Sequence, residues 1–242
     1  MNLMQIHNLT VQFGGLRAVN GLSLEVRKGE LLCLLGPNGA GKSTTLDLIC
    51  GKTRATSGQI VFDGQDITGL KEYKRARCGI GRKFQVPSVF KDLTVLENIE
   101  LARSRRPGIL DALRVFRTPI RGRVREVLQI VGLIDLVDLR AGNLSHGQTQ
   151  WLEIAMLLAQ DSKLILMDEP TAGMTIQETL QTAAIFNALK GDHTIIVVEH
   201  DMQFVRQVAE RVIVMNQGSL LAEGSIAEIE ADPRVKAVYL GH

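Results

Sequence analysis

Gly36-Pro37-Asn38-Gly39-Ala40-Gly41-Lys42-Ser43-Thr44 stands between an apolar run at 30–35 and a helical pattern at 43–50. The spacing G-x-x-x-x-G-K-S between a strand and a helix is that of a phosphate-binding loop, the P-loop. Glycines let the backbone wrap closely, so that successive N–H groups point inward as an anion nest. The helix that follows adds its own unpaired N–H groups and their positive potential. In that setting Lys42 reaches the β- and γ-phosphates of a nucleoside triphosphate, and the Ser43 hydroxyl ligates Mg2+. A glycine-rich turn that binds nothing is the alternative, and the complete pattern in its strand-to-helix context argues against it.

A second acidic site follows Lys42 by 126 residues. Leu164-Ile165-Leu166-Met167 runs into Asp168-Glu169, and parallel-sheet proteins place ligands at such carboxyl ends of strands. Asp168 is expected to hold the Mg2+ shell, and Glu169 to polarise the attacking water as general base. Alone, an apolar strand ending in two acids reads equally as a solvated strand end; the phosphate loop gives it weight. Between the two lies Leu144-Ser145-His146-Gly147-Gln148. Ser145 caps a helix with an apolar stripe at Trp151, Ile154, Ala155 and Leu158, and Gln148 completes a capping box. The N–H groups around Gly147 form a second helix end able to attract phosphate, although most capped helices bind nothing.

Outward from these motifs, short β-branched runs alternate with helical patterns along the chain. Strands are expected at 3–11, 22–26, 30–35, 59–62, 163–167, 194–199, 211–215 and 219–222. Helices are expected at 43–50, 94–102, 121–131, 146–159, 176–189, 202–209 and 225–230, with a second capping box at Thr94 and Glu97. From about 94 to 159 the pattern is helical, which reads as a helical insert in an α/β core closed on both sides of it.

The 242 residues carry 28 basic and 26 acidic side chains, a net charge of +2. That balance gives no argument for nucleic acid or an anionic membrane as partner. Aromatic residues make up only 4%, against a base-stacking platform. Cys33, Cys50 and Cys78 form no CxxC pair, and buried reduced thiols are expected for Cys33 and Cys50. No apolar run is long enough to span a membrane, and the opening MNLMQIHNLTV lacks a secretion leader. A cytosolic chain that meets the membrane only through partners is expected.

The ordered set of motifs resembles that of ABC ATPases over essentially the whole chain. Leu144-Ser145-His146-Gly147-Gln148 is similar to the family signature LSGGQ. Gln85, in Gly81-Arg82-Lys83-Phe84-Gln85, resembles the Q-loop residue, and His200, in Val198-Glu199-His200, resembles the switch histidine. The resemblance implies a RecA-like P-loop NTPase core with an N-terminal antiparallel β subdomain and an inserted α-helical subdomain. It implies one ATPase domain over 1–242, with about 1–90 and 160–242 forming the core and about 91–159 the helical part. ATP and Mg2+ are the implied cofactors. Gln85 would touch Mg2+ and the attacking water, and His200 the γ-phosphate. Phe13 would stack on adenine. Read without the family, Gln85 is a solvated loop amide, while His200 and Phe13 are ordinary core residues.

Two positions depart from the family pattern. His146 replaces a signature glycine, adding bulk and a titratable ring near the nucleotide. Thr175 replaces the aspartate that many relatives carry after the acids, which puts that residue's contacts across the dimer in doubt. The resemblance also implies that the signature of one subunit closes over nucleotide in the P-loop of another. The partners implied are a second ABC ATPase subunit (a paralogue favoured, a second copy of this chain the alternative), two transmembrane permease subunits and, indirectly, a periplasmic or extracellular solute-binding protein, with no nucleic acid. The implied location is the cytoplasmic face of the bacterial plasma membrane.

Val11-Gln-Phe-Gly-Gly15 and the tail Val238-Tyr-Leu-Gly241 resemble ATPases of branched-chain amino-acid importers. Within that group Arg82-Lys-Phe-Gln-Val-Pro87, Leu144-Ser-His-Gly-Gln-Thr-Gln-Trp151 and Glu169-Pro-Thr-Ala-Gly-Met174 look most like the urea-importer branch, so uptake of urea is the expectation and amino-acid import the alternative. Soluble ABC ATPases of translation or DNA repair are a third reading. It is disfavoured by the single cassette and by an insert too short for a long coiled coil. Residues 103–125 carry eight arginines against one acid, Asp111, which reads as a solvated face or as a patch for lipid or partner.

Overall fold

Two kinds of hydrophobic pattern produce two kinds of sheet. The computed structural model describes residues 1–83, 89–103 and 122–240. Strand β2 (Leu16–Arg27) alternates exposed and buried side chains over residues 21–27, and β1 (Asn2–Phe13) mixes the two with breaks at its register shifts, as a sheet with one solvated face requires. They pair antiparallel, and β4 (Ser57–Phe62) and β5 (Gln65–Asp66) extend the sheet in the order β2-β1-β4-β5. Strands β3 (Leu31–Leu35), β7 (Leu164–Asp168) and β8 (Thr194–Val198) are buried at every residue. Such continuous Val/Ile/Leu runs belong in a parallel sheet covered on both faces. With β6 (Ile80–Arg82), β9 (Arg211–Asn216) and β10 (Ser219–Gly224) they form a six-stranded sheet ordered β10-β9-β3-β8-β7-β6. All neighbours in it are parallel except β10 and β9.

The chain divides into two compact units. The first comprises Met1–Arg82, Lys163–Pro170 and Leu189–His242. Its core joins one face of the parallel sheet (Leu32, Leu34, Leu164, Leu166, Ile196, Val198) to Leu46 and Ile49 of helix α1 (Lys42–Cys50) and to Met4, Ile6, Leu22 and Leu24 of the antiparallel sheet. Burying each of these Leu or Ile side chains stabilises the fold by about 2 kcal/mol. Helix α1 ends at Gly51, in the left-handed region at φ 86°, and its last carbonyls meet a buried cation. Arg75 of helix α2 (Glu72–Cys78) is 2% exposed. It donates to Leu48 O (2.6 Å) and Ile49 O (3.0 Å), and also to Thr68 O and Leu70 O. A cation at the negative end of a helix is favourable electrostatically.

The second unit comprises Lys83–Ser162 and Thr171–Ala188. Helices α3 (Val95–Arg103) and α4 (Arg123–Ile130) pack on α5 (His146–Ala159). Both expected capping boxes form: Thr94 N–H donates to Glu97 Oε2 at 2.7 Å, and Ser145 N–H to Gln148 Oε1 at 2.9 Å. Fully buried Asn98 accepts from Phe90 N–H (2.8 Å) and donates to Phe90 O and Thr94 O, so a polar group in the core is satisfied. Helix α6 (Ile176–Leu189) belongs almost wholly to this unit, which therefore extends beyond the segment expected at about 91–159. In the first unit follow α7 (Met202–Val208), α8 (Ile226–Ala231) and α9 (Pro233–Leu240).

Every strand and helix expected from the sequence is present in the described residues, with ends shifted by one or a few residues and more in β2, whose pairing runs on to Leu16. Among the described residues, β5, β6, α2 and α9 were not expected, nor were two short 3-10 turns at Ile134–Leu136 and Ala141–Asn143. Two residues and three are too short to show a period, and α2 buries little besides an arginine. Cys33 and Cys50 are buried free thiols, as expected, and burial pushes the Cys33 thiol up to about 12. Among the described residues no helix is long and apolar enough to cross a membrane. The arginine-rich stretch lies largely outside the described residues.

Candidate active site

Strand order brings the expected phosphate loop, acids and histidine together. In the sheet β3 lies beside β8, and β8 beside β7. The loop leaves the carboxyl end of β3, Asp168 and Glu169 leave that of β7, and His200 follows β8. Parallel strands thus deliver all of them to one edge of the sheet, in the first unit.

The loop 36–44 has the backbone that its glycines allow. Gly36 has φ 146° and Gly41 φ 98°, both in the region that disfavours a side chain. A Cβ at Gly36 would collide with Met215 O, and one at Gly41 with Ala18 O. Pro37, Asn38, Gly39 and Ala40 complete the turn, closed by Ala40 N–H donating to Pro37 O at 3.1 Å. Lys42 is 8% exposed, and its Nζ donates to Gly36 O (2.7 Å) and Pro37 O (3.0 Å). Burial moves its amine below the ordinary lysine range, with Glu169 and Asp168 pulling the other way. Thr44 follows Ser43 in the first turn of α1.

Ser43 Oγ donates to Asp168 Oδ1 at 3.2 Å, so the hydroxyl and the acid named for Mg2+ face one another. Asp168 is 3% exposed. Its Oδ2 is buried without a hydrogen-bond partner, and the Arg82 guanidinium lies 3.8 Å away. Burial raises its carboxyl above the ordinary aspartate range, against the pull of Ser43 and Arg82. A buried carboxylate oxygen with spare acceptor capacity beside a serine hydroxyl suits a hydrated divalent cation. Oxygen donors of this kind are what Mg2+ takes.

Glu169 leaves the strand at φ 48°. Its N–H donates to Val198 O at 2.9 Å, and its Oε1 is 3.7 Å from His200 Nδ1. Both side chains are reachable by solvent, 39% and 65% exposed. Phe13 ends β1 and is 52% exposed; the core reading of this aromatic fails. Gln85 lies outside the described residues.

The signature residues form a second helix end, in the second unit. Ser145 Oγ accepts from Gln148 N–H at 3.2 Å, closing the capping box. The His146 ring folds onto its own unit, with Nε2 donating to Ala172 O at 3.1 Å. Thr175 starts α6: its Oγ1 accepts from Glu178 N–H at 3.2 Å and its N–H donates to Glu178 Oε2 at 3.0 Å. A threonine at this position therefore serves as a helix cap.

Sequence reasoning missed two residues near these groups. Arg82 pairs closely with Asp47 and lies against Asp168; nothing in its spacing announces that contact. Glu178 accepts from Ser145 Oγ and Gly147 N–H. The pattern Thr175-x-x-Glu178 could have flagged it as half of a capping box, though not its reach to Ser145.

Residues 19–172 match the family model described as ABC transporter. The chain is 36% identical to the high-affinity branched-chain amino acid transport ATP-binding protein BraF of Pseudomonas aeruginosa, covering 99% of this chain and 98% of that protein. It is 34% identical to LivG of Escherichia coli K12, a protein of the same description, with the same coverage. Among solved structures, the chain is similar to a nucleotide-free ATP-binding cassette from an ABC transporter, at TM-score 0.84 and 32% identity over the whole of both chains. The ADP conformation of the cassette MJ1267 matches at TM-score 0.85 and 31% identity, again over both whole chains.

Proposed function

Because the chain belongs to the ABC transporter family, as an ATP-binding cassette and transport-coupled ATPase, we propose that it energises an importer of branched-chain or other hydrophobic amino acids. The observation that carries the catalytic half of this reading is the convergence on one sheet edge of Lys42, the Ser43–Asp168 pair and the Glu169–His200 pair. Lys42 leaves its two carbonyl partners for the β- and γ-phosphates. Ser43, Asp168 and Gln85 would hold Mg2+, which when bound would neutralise charge on those phosphates. Glu169 takes the proton of the attacking water, and His200 contacts the γ-phosphate and supports Glu169. Phe13, exposed at the end of β1, stacks on adenine. No residue of the site needs to touch cargo.

The other half comes from a second cassette, a paralogue by resemblance. Its signature end closes over the nucleotide, and this chain's Ser145, His146, Gly147 and Gln148 do the same in return. Nucleotide then favours the closed pair, and hydrolysis removes that difference in affinity. The opening and closing moves two permease subunits held at the Gln85 loop, at the cytoplasmic face of the membrane, and a solute-binding protein outside delivers cargo.

Support for the cargo is full-length likeness to proteins named for branched-chain amino acids. The motifs at 82–87, 144–151 and 169–174 carry a second reading, urea. Uptake by the complete transporter in vesicles containing ATP distinguishes them. Labelled leucine is expected to accumulate in an ATP-dependent way, and accumulation of urea without leucine would overturn the amino-acid assignment.

A further inference from the structure

Glu178 bridges the starts of two helices in the second unit. Its Oε2 accepts from the N–H (3.0 Å) and the hydroxyl (3.1 Å) of Thr175, which fixes the first turn of α6. Its Oε1 reaches the start of α5, where it accepts from the Ser145 hydroxyl at 3.1 Å and from Gly147 N–H at 3.2 Å. The approach is so close that a Cβ on Gly147 would lie 2.5 Å from that oxygen. Glycine at this position is therefore what lets the carboxylate in. The Thr175 N–H foremost, with the hydroxyls and Gly147 N–H, holds the Glu178 carboxyl below the ordinary glutamate range, so an anion rests on the helix end at neutral pH.

We propose that Glu178 is a positioning residue that holds the Ser145–Gly147 end of α5 with the chain's own carboxylate, and that the phosphate of a companion subunit's nucleotide must displace it. The inference rests on the reading above, in which this end closes over nucleotide in trans. Its physical basis is a shortage of donors. The Ser145 hydroxyl has one proton and Gly147 one N–H, and both are engaged by Oε1. Two anions cannot share them, and like charges at this separation repel. Oε2 keeps its Thr175 anchors when Oε1 lets go, so release needs only a turn of the carboxylate, with the helix end left in place. Glu178 thereby weakens the pairing of empty or poorly loaded subunits and makes closure depend on a fully bound triphosphate.

The test is Glu178→Gln in the full chain. An amide cannot accept on both sides as a carboxylate does, so one of the two helix ends loses its partner. With Mg2+ and β,γ-imido-ATP as probe, two quantities are measured with the companion ATP-binding subunit: analogue affinity of the isolated chain, and the protein concentration for half-assembly in sedimentation. Glu178→Gln is expected to assemble at about tenfold lower concentration, the scale of one charge-assisted hydrogen bond, with isolated-chain affinity unchanged. Thr175→Ala, which loosens the α6 cap and leaves the carboxylate, is expected to show no such gain. Assembly of Glu178→Gln at the wild-type concentration or above overturns the proposal, as does an equal gain in Thr175→Ala. Wild-type chain that binds the analogue but never assembles would instead remove closure in trans, and this inference with it. Failure to bind the analogue at all would remove the P-loop reading.

Discussion

Glu169 is the residue where backbone and chemistry meet. A non-glycine residue in the left-handed region costs about 1–2 kcal/mol, and Glu169 stands there at φ 48°, pinned through its N–H to Val198 O. The turn redirects the chain just after Asp168, so that Asp168 faces Ser43 while Glu169 faces His200. Two adjacent acids thus receive different surroundings, one buried and one open to water. Glu169→Gln keeps the side-chain shape and removes its capacity to take a proton. Phosphate release is expected to fall at least ~100-fold, the usual worth of a positioned base, while equilibrium binding of Mg-ATP stays within about twofold. Undiminished turnover in that variant would take Glu169 out of the reaction.

At the scale of elements, the frame of the site depends on how β3 is anchored at the end away from the phosphate loop. Glu30, just before β3, accepts from Arg211 Nε (2.6 Å) and Nη2 (2.9 Å) and from Arg27 N–H (2.8 Å). Arg211 begins β9, pairs with Glu223 of β10, and donates to Glu25 O of β2. One guanidinium therefore joins four strand regions. Burial pushes the Glu30 carboxyl up, but Arg211 and the Arg27 N–H outweigh it and leave it below its ordinary value of 4.5. A depressed folded-state value means stability that is complete above the ordinary range and is lost as pH falls through the lowered one. Glu30→Gln is expected to cost about 2 kcal/mol at neutral pH, the scale of hydrogen bonds to a charged group. In denaturant titrations across pH, that difference should shrink below about pH 4.5 and vanish once wild-type Glu30 is protonated. A difference that persists unchanged into acid would mean that packing, rather than charge, holds β3 to β9.

For the whole molecule, the sequence was most legible where one residue type has few physical uses. The Gly36–Thr44 loop, the fully buried β3, β7 and β8, and the Ser145 cap all declare themselves, because close backbone approach, burial on both faces and orphan N–H groups each demand particular side chains. Contacts fixed only by the tertiary fold stayed hidden. Arg82 meets Asp168 because β6 and β7 pair in register, and Arg75 meets the end of α1 because α2 crosses there. Glu178 reaches Ser145 across 33 residues, a distance at which no local pattern speaks. The cargo was the least legible feature: motif likeness pointed to urea where full-length likeness favours amino acids. The central proposal is a triphosphate gripped by Lys42 of one chain and the Ser145 helix end of another. Ser145→Arg places a long cation across that helix end and leaves the P-loop of the same chain untouched. The account predicts that, with Mg2+ and ATP analogue, this variant binds nucleotide as an isolated chain as tightly as wild type but no longer assembles with its companion or hydrolyses ATP. Isolated-chain binding that falls in step with assembly would contradict it.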